Sequence, residues 1–272
     1  MKFWKFKLFA LAGALLVSLS LSNCGDKDDP EPEVETGKIV FKFDHYIDDQ
    51  PIEFDNMKYT NAAGNLYEVS EIQWFISDIT LNSGDGTSLL LDDTDFAHYV
   101  DTDIPNSWEW EKTDTVPAGD YSSITVTFGI KGEKNLPLTF VNPPESDMIW
   151  PYPMGGDNGG YHYMKLNGFW MDTLNQRQAF NFHMGVGKVV DDDGNVQFIQ
   201  NWFEVELDNS AFKLSKDETI EINIGMNVEE WFQNPENYDH DVYGGRIMNN
   251  QEAMHLGCEN GKYGVFSIRS IE

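Results

Sequence analysis

Gly119-Asp-Tyr-Ser-Ser-Ile-Thr-Val-Thr-Phe-Gly-Ile130 places Ile124, Val126, Phe128 and Ile130 on one side of an extended chain and Ser123, Thr125 and Thr127 on the other. A period of two is what a strand buried on one face produces and what a helix does not. The same alternation recurs on both sides of this stretch. Ile39, Phe41 and Phe43 alternate with Val40, Lys42 and Asp44, while Phe180, Phe182, Met184 and Val186 share a face opposite Asn181, His183 and Gly185. Phe203, Val205 and Leu207 alternate, as do the isoleucines of Thr219-Ile-Glu-Ile-Asn-Ile224. Ile72, Trp74 and Ile76 follow the rule until Asp78, where the register moves toward Ile79 and Leu81 as at a β-bulge. Asn82-Ser-Gly-Asp-Gly86 and Asp191-Asp-Asp-Gly-Asn195 are turn chemistry, and Thr87 to Leu91 reads as a hairpin return.

Helix signals are sparse. Asn227 reads as an N-cap with Glu230 as its capping-box partner, followed by Trp231 and Phe232 and stopped before Pro235. Many short strands without strand–helix alternation predict an all-β fold, a β-sandwich with long loops and one short helix. The loops include Asn142-Pro-Pro-Glu145 and the Gly- and Pro-rich run from Trp150 to Gly160.

The N-terminus has a different organisation. Met1-Lys-Phe-Trp-Lys-Phe-Lys7 is basic, Leu8 to Val17 is apolar, and small residues lead to Cys24. The apolar run is too short for a permanent membrane helix, so residues 1–23 are expected to be a signal peptide. Leu21-Ser-Asn-Cys24 resembles a bacterial lipobox, which would make Cys24 the lipidated first residue of the mature chain. Residues 24–37 read as an acidic flexible tether and 38–272 as one domain. Cys24-Gly-Asp-Lys-Asp-Asp29 also resembles the acidic tag of surface-exposed Bacteroidota lipoproteins. The expected location is therefore the outer membrane, facing the periplasm or the cell surface, with the lipid as anchor.

Of the 272 residues, 46 are Asp or Glu and 18 are Lys or Arg, a formal charge of -28. Loss of residues 1–23 removes Lys2, Lys5 and Lys7 and no acid, which makes the mature chain more negative still. Such a surface repels phosphate backbones and anionic headgroups, so nucleic acid is not an expected partner. No Gly-rich phosphate loop, His-Glu-x-x-His, Cys-x-x-Cys or Gly-x-Ser-x-Gly is present, and the chain is not expected to be an enzyme. With Cys24 lipidated, Cys258 has no disulfide partner and is either buried and inert or a metal ligand.

Six histidines remain: His45, His98, His162, His183, His240 and His255. His162 lies in Tyr161-His-Tyr-Met164, His183 in Phe182-His-Met184, and His255 in Met254-His-Leu-Gly-Cys258, where His and Cys could meet in a turn. Imidazole beside thioether or thiol suits copper, although no pair has diagnostic ligand spacing. Asp92-Asp-Thr-Asp95 and Asp191-Asp-Asp193 with Asn195 are oxygen clusters without EF-hand spacing and read as solvated turns. A second reading uses Trp108, Trp110, Trp150 and Trp170 as a glycan- or protein-binding face, which requires at least two exposed indoles.

Several segments, in order, resemble the MbnP-like family of exported copper proteins. They are Phe41-Lys-Phe-Asp-His-Tyr46, Tyr67 to Leu81, Val116-Pro-Ala-Gly-Asp-Tyr121, Phe128-Gly-Ile130, Met148-Ile-Trp-Pro-Tyr152, Gly160 to Gly168, Phe182-His-Met-Gly185 and Val265-Phe-Ser-Ile268. The resemblance implies a β-sandwich that binds copper and scavenges, stores or transfers it. It further implies a tryptophan oxidised to kynurenine by a partner di-haem enzyme of the cytochrome-c-peroxidase type. Carried to matching positions, His45 and His183 become imidazole ligands and Trp150 the modified or site-lining indole. His162 departs from the aromatic or aliphatic residue usual there and becomes a supplementary ligand. His255, Met184 and Cys258 are further supplements.

Overall fold

The computed structural model describes residues 34–91, 96–112, 115–151, 154–156 and 159–272. The expected signal peptide, Cys24, most of the expected tether and Asp92–Asp95 lie outside them. Val34–Glu272 forms one compact unit.

The strands, in chain order, are β1 (Thr36–Ile47), β2 (Gln50–Pro51), β3 (Tyr59–Thr60), β4 (Leu66–Ser83), β5 (Ser88–Leu91), β6 (Ala97–Asp101), β7 (Glu109–Glu111), β8 (Val116–Pro117) and β9 (Gly119–Phe128). They continue with β10 (Met164–Met171), β11 (Arg177–Met184), β12 (Gly187–Val190), β13 (Val196–Ile199), β14 (Phe203–Leu207), β15 (Phe212–Leu214), β16 (Thr219–Asn227) and β17 (Phe266–Ile271). One sheet runs β17-β16-β1-β2, with β7 and β8 also on β1; the larger runs β11-β10-β4-β9-β14, with β3, β5 and β6 on β4 and β15 on β9. β1 and β16 are parallel, from Lys38↔Thr219 to Tyr46↔Asn227. The other pairings are antiparallel, and β12 and β13 form a separate ribbon.

The apolar faces read from the sequence meet in one core, as expected for a β-sandwich. Phe43 of β1 meets Trp74 of β4 edge-on at 5.6 Å, Trp74 lies 5.3 Å from Phe266 of β17, and Phe128 of β9 lies 5.9 Å from Phe266. Edge-to-face and offset aromatic pairs of this kind tie the two sheets together beyond the gain from buried area. The expected bulge is present: pairing of β4 with β9 shifts between Ser77 and Thr80, and Asp78 has φ 48°.

Helix departs from expectation in place. Val228–Phe232 is a short 3-10 turn in which Asn227 makes no side-chain cap bond. A regular helix lies instead at Gln251–Asn260 (α2), after the single turn α1 at His240–Tyr243. Asn250 caps α2 by accepting from the Ala253 N–H at 3.1 Å. Gly257, a poor helix former, sits where a Cβ would stand 2.8 Å from Phe182 Cζ, so packing against β11 keeps a helical glycine there that local propensity argues against.

Candidate functional site: two anchored imidazoles under Trp150

β4, β10 and β11 are neighbours, and their register sorts side chains by face. Trp74, Met164 and Met184 stand opposite one another on the core face, whereas Gln73, Lys165 and His183 share the outer face. Residues 145–151 and 159–162 lie over this outer face. Trp150 N–H donates to Gly160 O at 2.8 Å, and the His162 backbone N–H donates to Met148 O at 2.6 Å. Trp150, 4% exposed, is seated against backbone: a Cβ on Gly185 would lie 2.5 Å from its ring, and one on Gly155 2.8 Å. The Gly-rich loop therefore lets main chain pack directly against an indole.

Beneath Trp150 lie two imidazoles. The Trp150 and His162 ring centres are 4.6 Å apart, those of His162 and His183 are 5.2 Å apart, and both pairs are nearly perpendicular. One nitrogen of each imidazole is anchored. His162 Nδ1 donates to Met148 O at 2.9 Å. His183 Nε2 lies 2.8 Å from Asn167 Oδ1, which also accepts from Asn181 Nδ2 at 2.8 Å, while Asn167 Nδ2 donates to Glu71 Oε2 at 3.0 Å. Because the Asn167 amide is oriented by Glu71, its oxygen is the acceptor and His183 Nε2 the donor. The lone pairs left over are on His162 Nε2 and His183 Nδ1. His183 Nδ1 and Trp150 Nε1 are buried with no partner among the described residues.

Burial lowers the pKa of His162 to about 3, reinforced by the neighbouring His183 and Lys165 and opposed by the bond to Met148. Burial, then the Lys165 ammonium, lowers His183 to about 4. Both rings are neutral near pH 7, so their lone pairs are available to a metal. A fixed N–H on one nitrogen and a free lone pair on the other is the usual setting of a metal-binding histidine.

The structure does not bring His45 to His183. His45 Nε2 accepts from Trp74 Nε1 at 3.0 Å, which puts His45 on the core side of β4 and His183 on the opposite side of the same sheet. His162 joins His183 instead. His255 and Cys258 do not meet in a turn: both lie on α2, with His255 exposed and Cys258 buried against Asn201 O at 3.3 Å. Burial pushes the Cys258 thiol up to about 12, so it stays protonated. Met184 is in the core. His98 is stacked between Phe43 and Trp110, and His240 is buried in an aromatic cage.

The indole-face reading loses its basis, because Trp110, Trp150 and Trp170 are only 4%, 4% and 6% exposed and Trp108 alone of the four is open, at 37%. Asp191 is consumed by its own turn, accepting from Asp193 N, Asn195 N and Asn195 Nδ2. Among the described residues, one group of three acidic ligating side chains converges within 4.8 Å: Glu71, Asp101 and Asp103. Sequence reasoning missed Asn167 and Glu71, which orient His183. The sequence offered only the outward parity of Asn167 within its own strand; its position opposite Asn181 and Glu71 is set by the register of three strands.

The two-sheet sandwich thus carries a histidine pair on the outer face of its larger sheet. The MbnP family profile matches residues 36–251, and the chain belongs to the MbnP family. Among solved structures, MbnP from Methylosinus trichosporium is similar at 11% identity, with 75% of this chain and 80% of that chain covered and a TM-score of 0.47. No curated protein matches the chain.

Proposed function

We propose that this protein binds copper through His162 and His183 beneath Trp150 and, without catalysing a reaction of its own, scavenges, stores or transfers the metal. The observation that carries the reading is the anchoring of both imidazoles, which leaves His162 Nε2 and His183 Nδ1 as lone pairs on neighbouring rings. Neutral imidazole pairs bind copper well, whereas the abundant surface carboxylates are hard donors that favour Ca²⁺ or Mg²⁺. The site is therefore selective by ligand type while the acidic surface raises the local cation concentration. Burial of the rings also favours a metal state that needs few water ligands.

The family resemblance and the lipobox resemblance each add one element to the proposal. Trp150, whose Nε1 has no partner among the described residues, is the residue for a partner di-haem peroxidase-like enzyme to oxidise, and Cys24 is the lipid attachment point of an outer-membrane lipoprotein. Competition titration of Cu(I) against a chromogenic chelator tests the metal site: wild type binds one equivalent tightly, and His162→Ala and His183→Ala do not. Equal affinity in all three proteins refutes it. Mass spectrometry of the Trp150 peptide from the native host reads its oxidation, and fractionation of Cys24→Ala reads anchoring, each independently of copper.

A further inference from the structure

A cavity of about 200 Å³ opens at the far end of β1, between β2, β17 and the segment before β7. Its walls are mostly apolar, with Ile52, Phe54 and Trp108 among them, yet three groups on them offer polar hydrogens. The first is His45. Since Trp74 Nε1 donates to His45 Nε2 at 3.0 Å, the neutral ring carries its proton on Nδ1, which has no hydrogen-bond partner among the described residues. The second is Arg269, whose guanidinium carbon lies 4.1 Å from the centre of the Tyr46 ring and whose Nη1 reaches Asp49 at 3.3 Å. Stacking and one ion pair fix the plane of the guanidinium and leave its other N–H groups without a partner among the described residues. The third is Thr102, whose Oγ1 already accepts from Ile72 N and so has its own proton to donate.

Opposite charge is also present in the lining, in Asp44 and Asp49. Trp108 is held by an Nε1 bond to Asp101 O at 2.7 Å and is 37% exposed, a fixed aromatic platform. One cation, neutral donors, two carboxylates and aromatic walls in a small cavity match a ligand with both charges and an apolar body.

We propose that this cavity binds a free apolar α-amino acid. Its carboxylate meets Arg269, its ammonium faces Asp44 and Asp49, and its side chain packs on Trp108 and Phe54. A zwitterion suits a strongly acidic protein better than a simple anion, because its net charge is zero and the long-range field does not repel it. Rigid aromatic anchors and charge-assisted hydrogen bonds are the usual means by which small cavities gain orientation and affinity. The site lies on the other side of β4 from His162 and His183, so it is separate from the proposed copper site.

The test is calorimetric titration of the full protein with L-phenylalanine, 3-phenylpropionate and phenethylamine, the last two each lacking one charge. Phenylalanine is expected to bind at least about tenfold more tightly than either analogue. Arg269→Gln and Trp108→Ala are each expected to weaken phenylalanine by about tenfold or more, while His183→Ala leaves it unchanged. Both substituted residues are partly exposed, and an unchanged melting temperature certifies the fold. No heat with phenylalanine up to millimolar concentration, equal binding of all three compounds, or wild-type affinity in both variants overturns the proposal. Copper affinity in the same proteins is read separately, so failure here leaves the copper proposal standing.

Discussion

Two buried histidine environments contrast within one sandwich. His240 is fully buried among Phe180, Phe232, Tyr238 and Trp170, with ring centres 4.6 to 5.5 Å away, and neither of its ring nitrogens has a partner among the described residues. His162 and His183 are also deeply set, but each has one nitrogen held by an acceptor. In the first case aromatic packing holds the ring and both nitrogens are simply desolvated. In the second, a carbonyl and an oriented amide choose the tautomer and aim the remaining lone pair. Burial alone therefore does not separate the two settings; the anchoring of one nitrogen does.

The largest expected effect tests that contrast directly. His162→Ala or His183→Ala is expected to lower Cu(I) affinity by more than about 100-fold, while His240→Phe leaves it unchanged, as read by chelator competition. Loss of copper binding in His240→Phe with the fold intact would break the distinction.

Next in size is the anchor. Asn167→Ala removes the acceptor of His183 Nε2 and is expected to cost about 10- to 100-fold in copper affinity, with Asn167→Asp retaining more because a carboxylate still accepts. Copper-loaded and metal-free melting temperatures of the same variants separate lost binding from lost folding.

A smaller effect concerns acid. Burial lowers His45 and His183 to about 4 and His162 and His240 to about 3, all below the ordinary value of 6.5. Between pH 6.5 and about 3 the unfolded chain binds protons that the folded chain refuses, so stability is fully present above 6.5 and is lost as pH falls through that window. His240→Phe keeps the cage filled and removes two desolvated nitrogens. It is expected to raise stability by about 1 kcal/mol at neutral pH and to flatten the acid limb, measured by urea unfolding from pH 7 to 4.5. A destabilised His240→Phe at pH 7 would show that the ring nitrogens have a role that packing does not.

The smallest effect is the control. Asp191→Asn with Asp193→Asn is expected to change copper affinity by less than about twofold, because these exposed carboxylates only add to the general field and that field is screened by salt.

Period-two alternation determined the strands by itself. Ile124, Val126 and Phe128 must face one way in any extended chain, and the positive φ at Asp78 was legible as a break in that rhythm. His183 on the face opposite Phe182 and Met184 followed from the same parity. Tertiary structure decided what parity cannot express. Which sheet face His45 meets depends on β1 and β4 lying in different sheets, and the partner of His183 depends on residues 145–151 and 159–162 lying over β10 and β11. Helix α2 was hidden because Gly257 is retained for contact with Phe182, a requirement set by a strand about 75 residues earlier. Local sequence specifies the direction of a side chain relative to its own backbone. The identity of the group across the gap is fixed only when distant segments pack, and in this protein those contacts choose which two of six histidines stand together.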